Sequence, residues 1–386
     1  MGKKAKIFSL IFLSIFFIGG MFFQPVEYAG AFLIFGISIY IFTKYPKKYI
    51  KRKIINYFIL FFLISLSFFL SYTKIIDYGG YFREAAKYWG CFLLFFSGYI
   101  LVRFKKKLFK KINLIFIISL ILISLYGLMN YILTSHERRA YSPLGINNNH
   151  ASILIIGIMI LIVKIYYKKY LINRPIDISV LIFFLFYIFF DISRGALLGL
   201  CIVLIFFFFF KKNNINFKNL IIYFLIILIF SLSTFLIFKE NIFNRSNKKR
   251  IALAKAHSKL IKRNIFTGVG LDQNHHYYNQ IKTKIPFLDG KKYVGNLDAH
   301  NFIIQWWAEN GIISLILILT FLIYYLYKNY RKFNHNYGLY LGCLAFIIHA
   351  LFSNNFHIIR LMMYFWFFLG AFDAIPDEKQ RTEKQK

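Results

Sequence analysis

Long apolar runs separated by short polar breaks extend along almost the whole chain. A helix needs about twenty apolar residues to cross the hydrocarbon core of a bilayer, and twelve runs approach this length. The runs are 7–24, 26–43, 54–72, 86–102, 112–134, 149–167, 177–192, 194–210, 219–238, 306–328, 337–353 and 357–373. The pattern predicts an all-α, polytopic integral membrane protein with about twelve transmembrane helices, in which residues 1–386 form a single membrane domain.

The seventh and eighth runs are the least certain part of this pattern, because both are short and only a few polar residues separate them. Residues 177–210 are too many for one crossing. Two crossings and a re-entrant hairpin are both compatible with the sequence.

One polar interruption, residues 239–305, is much longer than every other break. It falls between the ninth and tenth predicted spans. A connection between two helices does not need a polar segment of this length, so we expect this loop to carry part of an active site.

Composition agrees with a membrane protein, since 59% of the residues are hydrophobic. The charge is strongly basic, with 49 Lys and Arg against 15 Asp and Glu and a net charge of +34. Nucleic-acid binders carry such charge on a folded polar surface, whereas here it lies in short clusters between apolar runs, so we expect no nucleic-acid partner.

The distribution of positive charge predicts the orientation of the chain. Most Lys and Arg fall in alternate short loops, and such loops remain on the cytoplasmic side of a membrane. Both termini are therefore predicted to be cytoplasmic. The long loop is predicted to be external, since loops of this length are translocated largely regardless of charge.

Several charged residues then collect on the external side. Arg194 follows Asp191 between two apolar runs, and an ionised side chain at the membrane edge is costly unless it faces a polar cavity or a partner. An Asp191–Arg194 pair at the turn and an anion-binding role for Arg194 are the two explanations. Arg138 and Arg139, in the loop before the sixth span, belong either to a solvated turn or to a second cationic wall of the same site.

Within the long loop, residues 248–263 mix apolar and basic positions, which predicts a basic amphipathic helix lying on anionic lipid. Arg250 stands at the predicted start of this helix, where free backbone N–H groups favour an anion. His300 lies at the external mouth of the tenth span and can exchange protons near neutral pH, which suits a general base or acid. Asp298 either orients His300 or is an unrelated loop residue.

Metal-ligand spacing is not found among the His, Cys, Asp and Glu residues, so we expect no metal and no other cofactor. The cysteines Cys91, Cys201 and Cys343 all fall inside apolar runs. We expect them to be buried small hydrophobic residues.

Three motifs on the predicted external side resemble those of the O-antigen ligase family of polytopic membrane proteins. They are His300-Asn301 followed after nine residues by Gly311, Arg250 placed eighteen residues before Gly268-Val269-Gly270, and Ser193-Arg194-Gly195 at a helix end. Each motif is weak alone. Their order, and their common side of the membrane, make the resemblance fairly specific.

The resemblance implies a bacterial inner-membrane enzyme with a large periplasmic loop. Such ligases move a glycan from undecaprenyl pyrophosphate to a sugar hydroxyl of lipid A–core. Arg194 and Arg250 would bind the pyrophosphate, and His300 would accept the proton of the attacking hydroxyl. The implied substrate-binding residues are Arg138, Arg139, Asn301, Gly311, Gly268 and Gly270. The implied reaction inverts the sugar, requires no metal and has no covalent enzyme intermediate.

Two other functions stay open at this stage. A polymerase of O-antigen or capsule would use the same donor and join it to another lipid-linked glycan. A lipid-linked oligosaccharide transporter would carry charged residues midway along its spans and have no long external loop, which is the opposite of this arrangement. In every case membrane lipids are partners of the chain.

Overall fold

The computed structural model describes residues 3–44, 52–133, 143–144, 147–191, 193–210, 242–278, 298–330, 332 and 336–376. Three expectations from the sequence fall outside these ranges. They are the ninth predicted span, the pair Arg138 and Arg139, and residues 279–297 of the long loop.

The described residues form thirteen helices joined by loops, with no strand among them. The first six are α1 over Lys3–Ser14, continued by a π-helical turn over Ile15–Gly19 and a last turn over Gly20–Phe22; α2 over Gln24–Lys44; α3 over Arg52–Phe68, with a 3-10 turn over Phe69–Lys74; α4 over Tyr78–Phe104; α5 over Lys107–Leu133; and α6 over Asn147–Tyr166. The others are α7 over Arg174–Phe190, α8 over Arg194–Phe210, α9 over Ile242–Arg263, α10 over Asn274–Tyr278, α11 over Phe302–Asn329, α12 over Tyr337–Ala350 and α13 over Ile359–Asp373.

The helices coincide with eleven of the twelve predicted spans. Six of them are long and apolar enough to cross a membrane, and three shorter helical stretches, 7–22, 194–208 and 337–350, are also apolar. The all-α, polytopic membrane class is therefore confirmed for the described residues. The count of twelve and the single membrane domain stay predictions.

Close contacts between backbones hold the centre of the bundle together. Where α4 crosses α13, a Cβ atom on Gly98 would overlap the carbonyl of Phe367, and one on Gly370 would overlap the carbonyl of Phe95. Small residues at a crossing let two helices approach, and in lipid this packing replaces the hydrophobic drive for association. α12 packs in the same way between α6 and α8.

The segment 177–210 forms two helices that run in opposite directions. α8 begins beside the end of α12, where Ser193 lies 3.2 Å from His349, and it reaches Phe207, whose ring lies 5.5 Å from that of Tyr166. Tyr166 is the last residue of α6, so α8 extends along the full length of α6. This depth favours two crossings over a re-entrant hairpin.

The two ends of the bundle are chemically different. We call the end at which α11 begins the His300 end, and the end at which α6 finishes the Lys164 end. Every motif in the resemblance lies at the His300 end.

Candidate active site

A buried histidine, His349, lies at the centre of the His300 end. Its Nδ1 is 3.1 Å from Ser152 Oγ and 3.2 Å from Asn355 Nδ2, and its Nε2 is 3.2 Å from Ser193 Oγ. All four side chains are buried. His349 thereby joins the starts of α6 and α8 to the end of α12 and the loop that follows it.

The Ser193-Arg194-Gly195 motif fits against this histidine. Ser193 contacts the His349 ring directly, and a Cβ atom on Gly195 would lie 2.8 Å from its Cδ2, so a larger residue would displace the ring. Arg194, between them, is the first residue of α8 and is exposed. The two flanking residues therefore fix the backbone from which the Arg194 guanidinium projects. The carboxylate of Asp191 lies 3.4 Å from His150 Nδ1.

His300 lies in a short segment that is attached to the loop after α12. Asp298 Oδ2 accepts a hydrogen bond from Asn354 Nδ2 at 2.5 Å, and Asn301 Nδ2 donates to the carbonyl of Leu351 at 2.9 Å. Asn301 also caps α11, because its Oδ1 accepts from the N–H of Ile304. His300 itself is half-buried between these two attachments.

The backbone of His300 adopts a left-handed conformation, with φ 52°. Residues other than glycine seldom adopt positive φ, and such strain is kept where the surroundings determine it, often at functional sites. Here the hydrogen bonds of Asp298 and Asn301 hold the chain on both sides of the strained residue. The sequence motif His300-Asn301 is therefore a helix cap joined to a fixed, strained histidine.

Arg250 lies on α9, but not at the helix start. α9 begins at Ile242 rather than at residue 248, so Arg250 is in its third turn and the expected role for free N-terminal N–H groups is wrong. Arg250 is half-buried, and its charge acts on the His349 ring. The structure thus brings Arg250 to the same site as Arg194 and His300 by a different route from the one expected.

The apolar side of α9 packs on protein. Ala252, Leu253, Ala256 and Leu260 form a small buried cluster with Val269 and Ala308. α11 and the loop after α9 cover this side of the helix, so these four residues contact protein rather than lipid. The expectation that the basic residues of the helix lie on anionic lipid stays a prediction. Burial also lowers the pKa of His257, on the same helix, below its ordinary value.

The Gly-x-Gly motif and Gly311 form the two sides of one backbone junction. α11 is interrupted at Gly311, with φ 75°, and Gly268 has φ 68°. The N–H groups of Val269 and Gly270 donate to the carbonyls of Ala308 and Glu309 at 3.0 and 2.8 Å. A Cβ atom on Gly268 would overlap the Glu309 carbonyl, and one on Gly311 would overlap that of Phe266.

This junction gives the glycines a structural role. It fixes the distance between Arg250, eighteen residues before Gly268, and His300, eleven residues before Gly311. Substrate contacts by Gly268, Gly270, Gly311 and Asn301 stay predictions.

A second set of hydrogen bonds joins the long loop to the turn between α3 and α4. Gln273 Oε1 accepts from the N–H groups of Ile76 and Asp77 at 3.0 and 2.9 Å. Lys74 Nζ donates to Asn264 Oδ1 at 2.7 Å. Hydrogen bonds from backbone N–H groups, that of Gly80 first, lower the pKa of the half-buried Asp77. α9 is therefore supported from two sides, by α11 and by this turn.

Pro143, in the C-terminal part of the loop that carries Arg138 and Arg139, is joined to the start of α13. Arg360, at the start of α13, donates from Nη1 to the carbonyl of Pro143 at 2.8 Å, while its Nε lies 3.2 Å from Glu27 Oε2. Glu27 is buried in α2. The supporting role expected for Arg138 and Arg139 stays a prediction.

An apolar cavity of about 390 Å³ opens at the His300 end between α2, α4 and α13. Tyr28, Phe32 and Met363 contribute to its walls, and Arg83 and Lys87 lie at its rim. Arg83 is 3.6 Å from Asp272, and Lys87 pairs with Glu84. The cavity combines an apolar interior with a basic rim.

His349 is the residue that sequence reasoning missed. It sits in an apolar run, as a structural histidine would, and its serine partners are 156 and 197 residues away. Among the described residues, no three His, Cys, Asp or Glu side chains converge as metal ligands.

The chain was compared with known protein families. A family described as O-antigen ligase matches residues 179–319. The matched range begins in α7 and ends in α11, and it includes Arg194, Arg250, His300 and both sides of the glycine junction. The resemblance drawn from the motifs is confirmed. No curated protein matches the chain.

Proposed function

We propose that the protein, whose residues 179–319 match the O-antigen ligase family, transfers a glycan from undecaprenyl pyrophosphate to a sugar hydroxyl of lipid A–core. At the family level, the match supports a membrane glycosyltransferase of the ligase or polymerase type. One observation carries the finer proposal. Arg194, Arg250 and His300, from three separate segments, are held at the same end of the bundle around His349.

The proposed reaction is a direct displacement at the anomeric carbon of the donor sugar. The acceptor oxygen forms a bond to this carbon while the bond from the carbon to the pyrophosphate oxygen breaks. The electron pair leaves with undecaprenyl pyrophosphate, and the hydroxyl proton passes to His300. Inversion follows, because the acceptor attacks from the face opposite the leaving group.

The two arginines suit the leaving group. Negative charge develops on the pyrophosphate as its bond to the sugar breaks, and guanidinium groups stabilise such charge with paired N–H donors. Arg194 projects from a backbone fixed by His349, and Arg250 projects from a helix supported on two sides. Both arrangements hold the positive charge in place before the reaction, which is the source of such stabilisation.

His300 suits the proton transfer. A general base must lie within hydrogen-bond reach of the hydroxyl and titrate near neutral pH. His300 is half-buried at the mouth of α11, so an acceptor sugar can reach it from outside the bundle. Its strained backbone, fixed on both sides, limits the directions in which the ring can point.

The apolar cavity between α2, α4 and α13 suits a lipid-linked substrate. Its interior would take part of a hydrocarbon chain, and Arg83 and Lys87 at the rim would face the phosphate that follows the chain. On this proposal, lipid and phosphate would be recognised at the end of the bundle where the arginines lie.

Reconstitution tests the proposal. Purified protein in liposomes would receive an undecaprenyl-pyrophosphate glycan and rough lipopolysaccharide, and the product would be followed on gels. Transfer to lipopolysaccharide is expected, and Arg194→Ala, Arg250→Ala and His300→Ala should each lower the rate by roughly a hundredfold or more. Arg263→Ala is the matched control, because Arg263 is exposed at the end of the helix that carries Arg250.

The same assay separates the alternatives. Polymer that accumulates on the undecaprenyl carrier would establish a polymerase. If no glycosidic product formed, the transporter would be the remaining alternative. Transfer that EDTA abolishes would overturn the metal-free reaction. Wild-type rates in the His300 or Arg250 variant would show that the residue is structural.

A further inference from the structure

A second cavity, of about 440 Å³, lies at the Lys164 end, opposite the candidate active site. The ends of α4 and α6, the start of α5 and the segment after α13 surround it. Five of its lining residues are lysines and none is acidic: Lys106, Lys110, Lys164, Lys168 and Lys169. Like charges repel, so solvated lysines in loops normally spread apart. If these lysines served only to set the orientation of the chain in the membrane, they would not need to converge on one cavity.

Lys164 is the innermost of these lysines. It exposes only 4% of its surface, and its Nζ donates to Asn336 Oδ1 at 2.9 Å. An ammonium group carries three N–H donors, and Asn336 is its hydrogen-bond acceptor within the part of the chain that the structure describes. A buried cation is costly unless it is compensated. Counted over the described residues, this leaves two donors of Lys164 for an acceptor inside the cavity.

The neighbouring charges increase the need for an anion that compensates the buried Lys164 ammonium group. Lys110 acts electrostatically on Lys164 as a like charge, and Asp177 acts as an opposite charge. The Asp177 oxygens, however, accept hydrogen bonds from the N–H groups of Leu171 and Ile172 at 2.7 and 3.2 Å. This carboxylate is committed to the loop before α7 and only partly offsets the positive charge.

The turn after α6 brings two more lysines to the rim. Lys168 has a left-handed backbone, with φ 53°, and the N–H of Lys169 donates to the carbonyl of Lys164 at 2.9 Å. A lysine seldom adopts this conformation. The turn closes the helix and leaves both Lys168 and Lys169 exposed beside the cavity.

The remaining walls are apolar and include Phe109 and Ile172. Lys164 itself lies in the last turn of α6, a candidate membrane span, so the cavity is at the depth where hydrocarbon meets headgroups. A ligand that matches the site has an anionic phosphate for the lysines and hydrocarbon for the apolar walls.

We propose that this cavity, the Lys164 cavity, binds the phosphate headgroup of an anionic phospholipid. Basic pockets between membrane helices on the cytoplasmic side are suited to such headgroups. The predicted orientation places this end in the cytoplasmic leaflet, where anionic lipids are abundant. The site requires nothing from the glycan chemistry at the other end of the bundle.

Native mass spectrometry of the full chain in detergent tests the proposal. The protein would be titrated with cardiolipin, with phosphatidylcholine and, separately, with inorganic pyrophosphate. The test variant is Lys168→Gln with Lys169→Gln, because both side chains are exposed and the fold does not depend on them. The matched control is Lys44→Gln with Lys328→Gln, which removes two lysines from the same end outside the cavity; each lies over a tyrosine ring of its own helix.

Cardiolipin is expected to bind the wild type more tightly than phosphatidylcholine. The test variant should raise its Kd by about tenfold or more, since each lysine near an anionic lipid contributes on the order of 1 kcal/mol. The control should stay within about twofold of the wild type. Equal weakening in both variants would reduce the site to non-specific charge and overturn the proposal. Binding of pyrophosphate without cardiolipin would overturn it in favour of a soluble phosphate.

Discussion

At the scale of single residues, the two histidines of the candidate site differ in what they can do. His300 is half-buried and reachable from outside, whereas His349 is buried and its ring nitrogens already face Ser152, Ser193 and Asn355. A proton acceptor for a substrate needs access, and His349 has none. Its contacts with Ser193 and Gly195 instead fix the position of the Arg194 backbone.

We therefore expect His349 to act as a positioning residue. His349→Ala should lower kcat/KM by roughly tenfold to a hundredfold, because a displacement of about 1 Å in a catalytic group is enough for such a loss. His349→Gln, which keeps one hydrogen-bonding arm, should recover part of it. The pH profile of the remaining activity should match that of the wild type, since His349 exchanges no proton with substrate.

The control for this prediction is His275→Ala, which changes an exposed histidine on α10 and should leave kcat/KM unchanged. The measurement is the transfer rate across pH 5.5–8.5 for the wild type and the His349→Ala, His349→Gln and His275→Ala variants. A shifted acidic limb in either His349 variant would make this residue the proton acceptor and remove that role from His300.

At the scale of elements, the spans could be predicted and their mutual arrangement could not. Apolar runs of about twenty residues have one favourable environment in a membrane, so eleven runs reappear as helices at nearly the predicted positions. The predicted start of α9, residue 248, was wrong by six residues, because the helix begins at Ile242. The His349 cluster depends on packing between α6, α8 and α12, which no local pattern contains.

The glycine junction gives the glycine motifs a structural role besides the substrate contacts predicted for them. Gly268 and Gly311 bring the loop after α9 against the interruption in α11. The number of residues between each glycine motif and its charged residue then has a geometric reason. The junction fixes the position of Arg250 relative to His300.

This role predicts a large effect for Gly311→Ala. The substitution requires positive φ from alanine and places a Cβ atom on the Phe266 carbonyl, so stability should fall by about 1–3 kcal/mol. Activity should fall with it, because α9 loses its support. Thermal unfolding in detergent and transfer assays measure the two effects.

Gly36→Ala is the matched control for that substitution. Gly36 lies in α2, and a Cβ atom there would meet no other atom within 4 Å, so alanine should be neutral or slightly stabilising. If the Gly311→Ala variant had the same thermal stability and the same transfer activity as the Gly36→Ala variant, the junction would not be what holds α9 in place.

At the scale of the whole molecule, the two ends of the bundle must lie on opposite sides of the membrane. The proposed glycan transfer requires the His300 end to lie on the external side of the membrane. The proposed lipid site requires the Lys164 end to lie in the cytoplasmic leaflet. Both assignments follow from the clustering of Lys and Arg in alternate short loops, which resist translocation. One measurement of orientation therefore bears on both.

Single cysteines make that measurement, in a chain whose native Cys91, Cys201 and Cys343 are replaced by alanine. Arg263→Cys and Lys168→Cys each place a thiol at an exposed position, one at each end of the bundle. A membrane-impermeant maleimide should label the Arg263 variant in intact spheroplasts and the Lys168 variant only after permeabilisation. The reverse pattern would place Arg194, Arg250 and His300 in the cytoplasm, on the side opposite to periplasmic glycan transfer. It would also move the Lys164 cavity to the outer leaflet, so the function and the lipid site would both need a different membrane side.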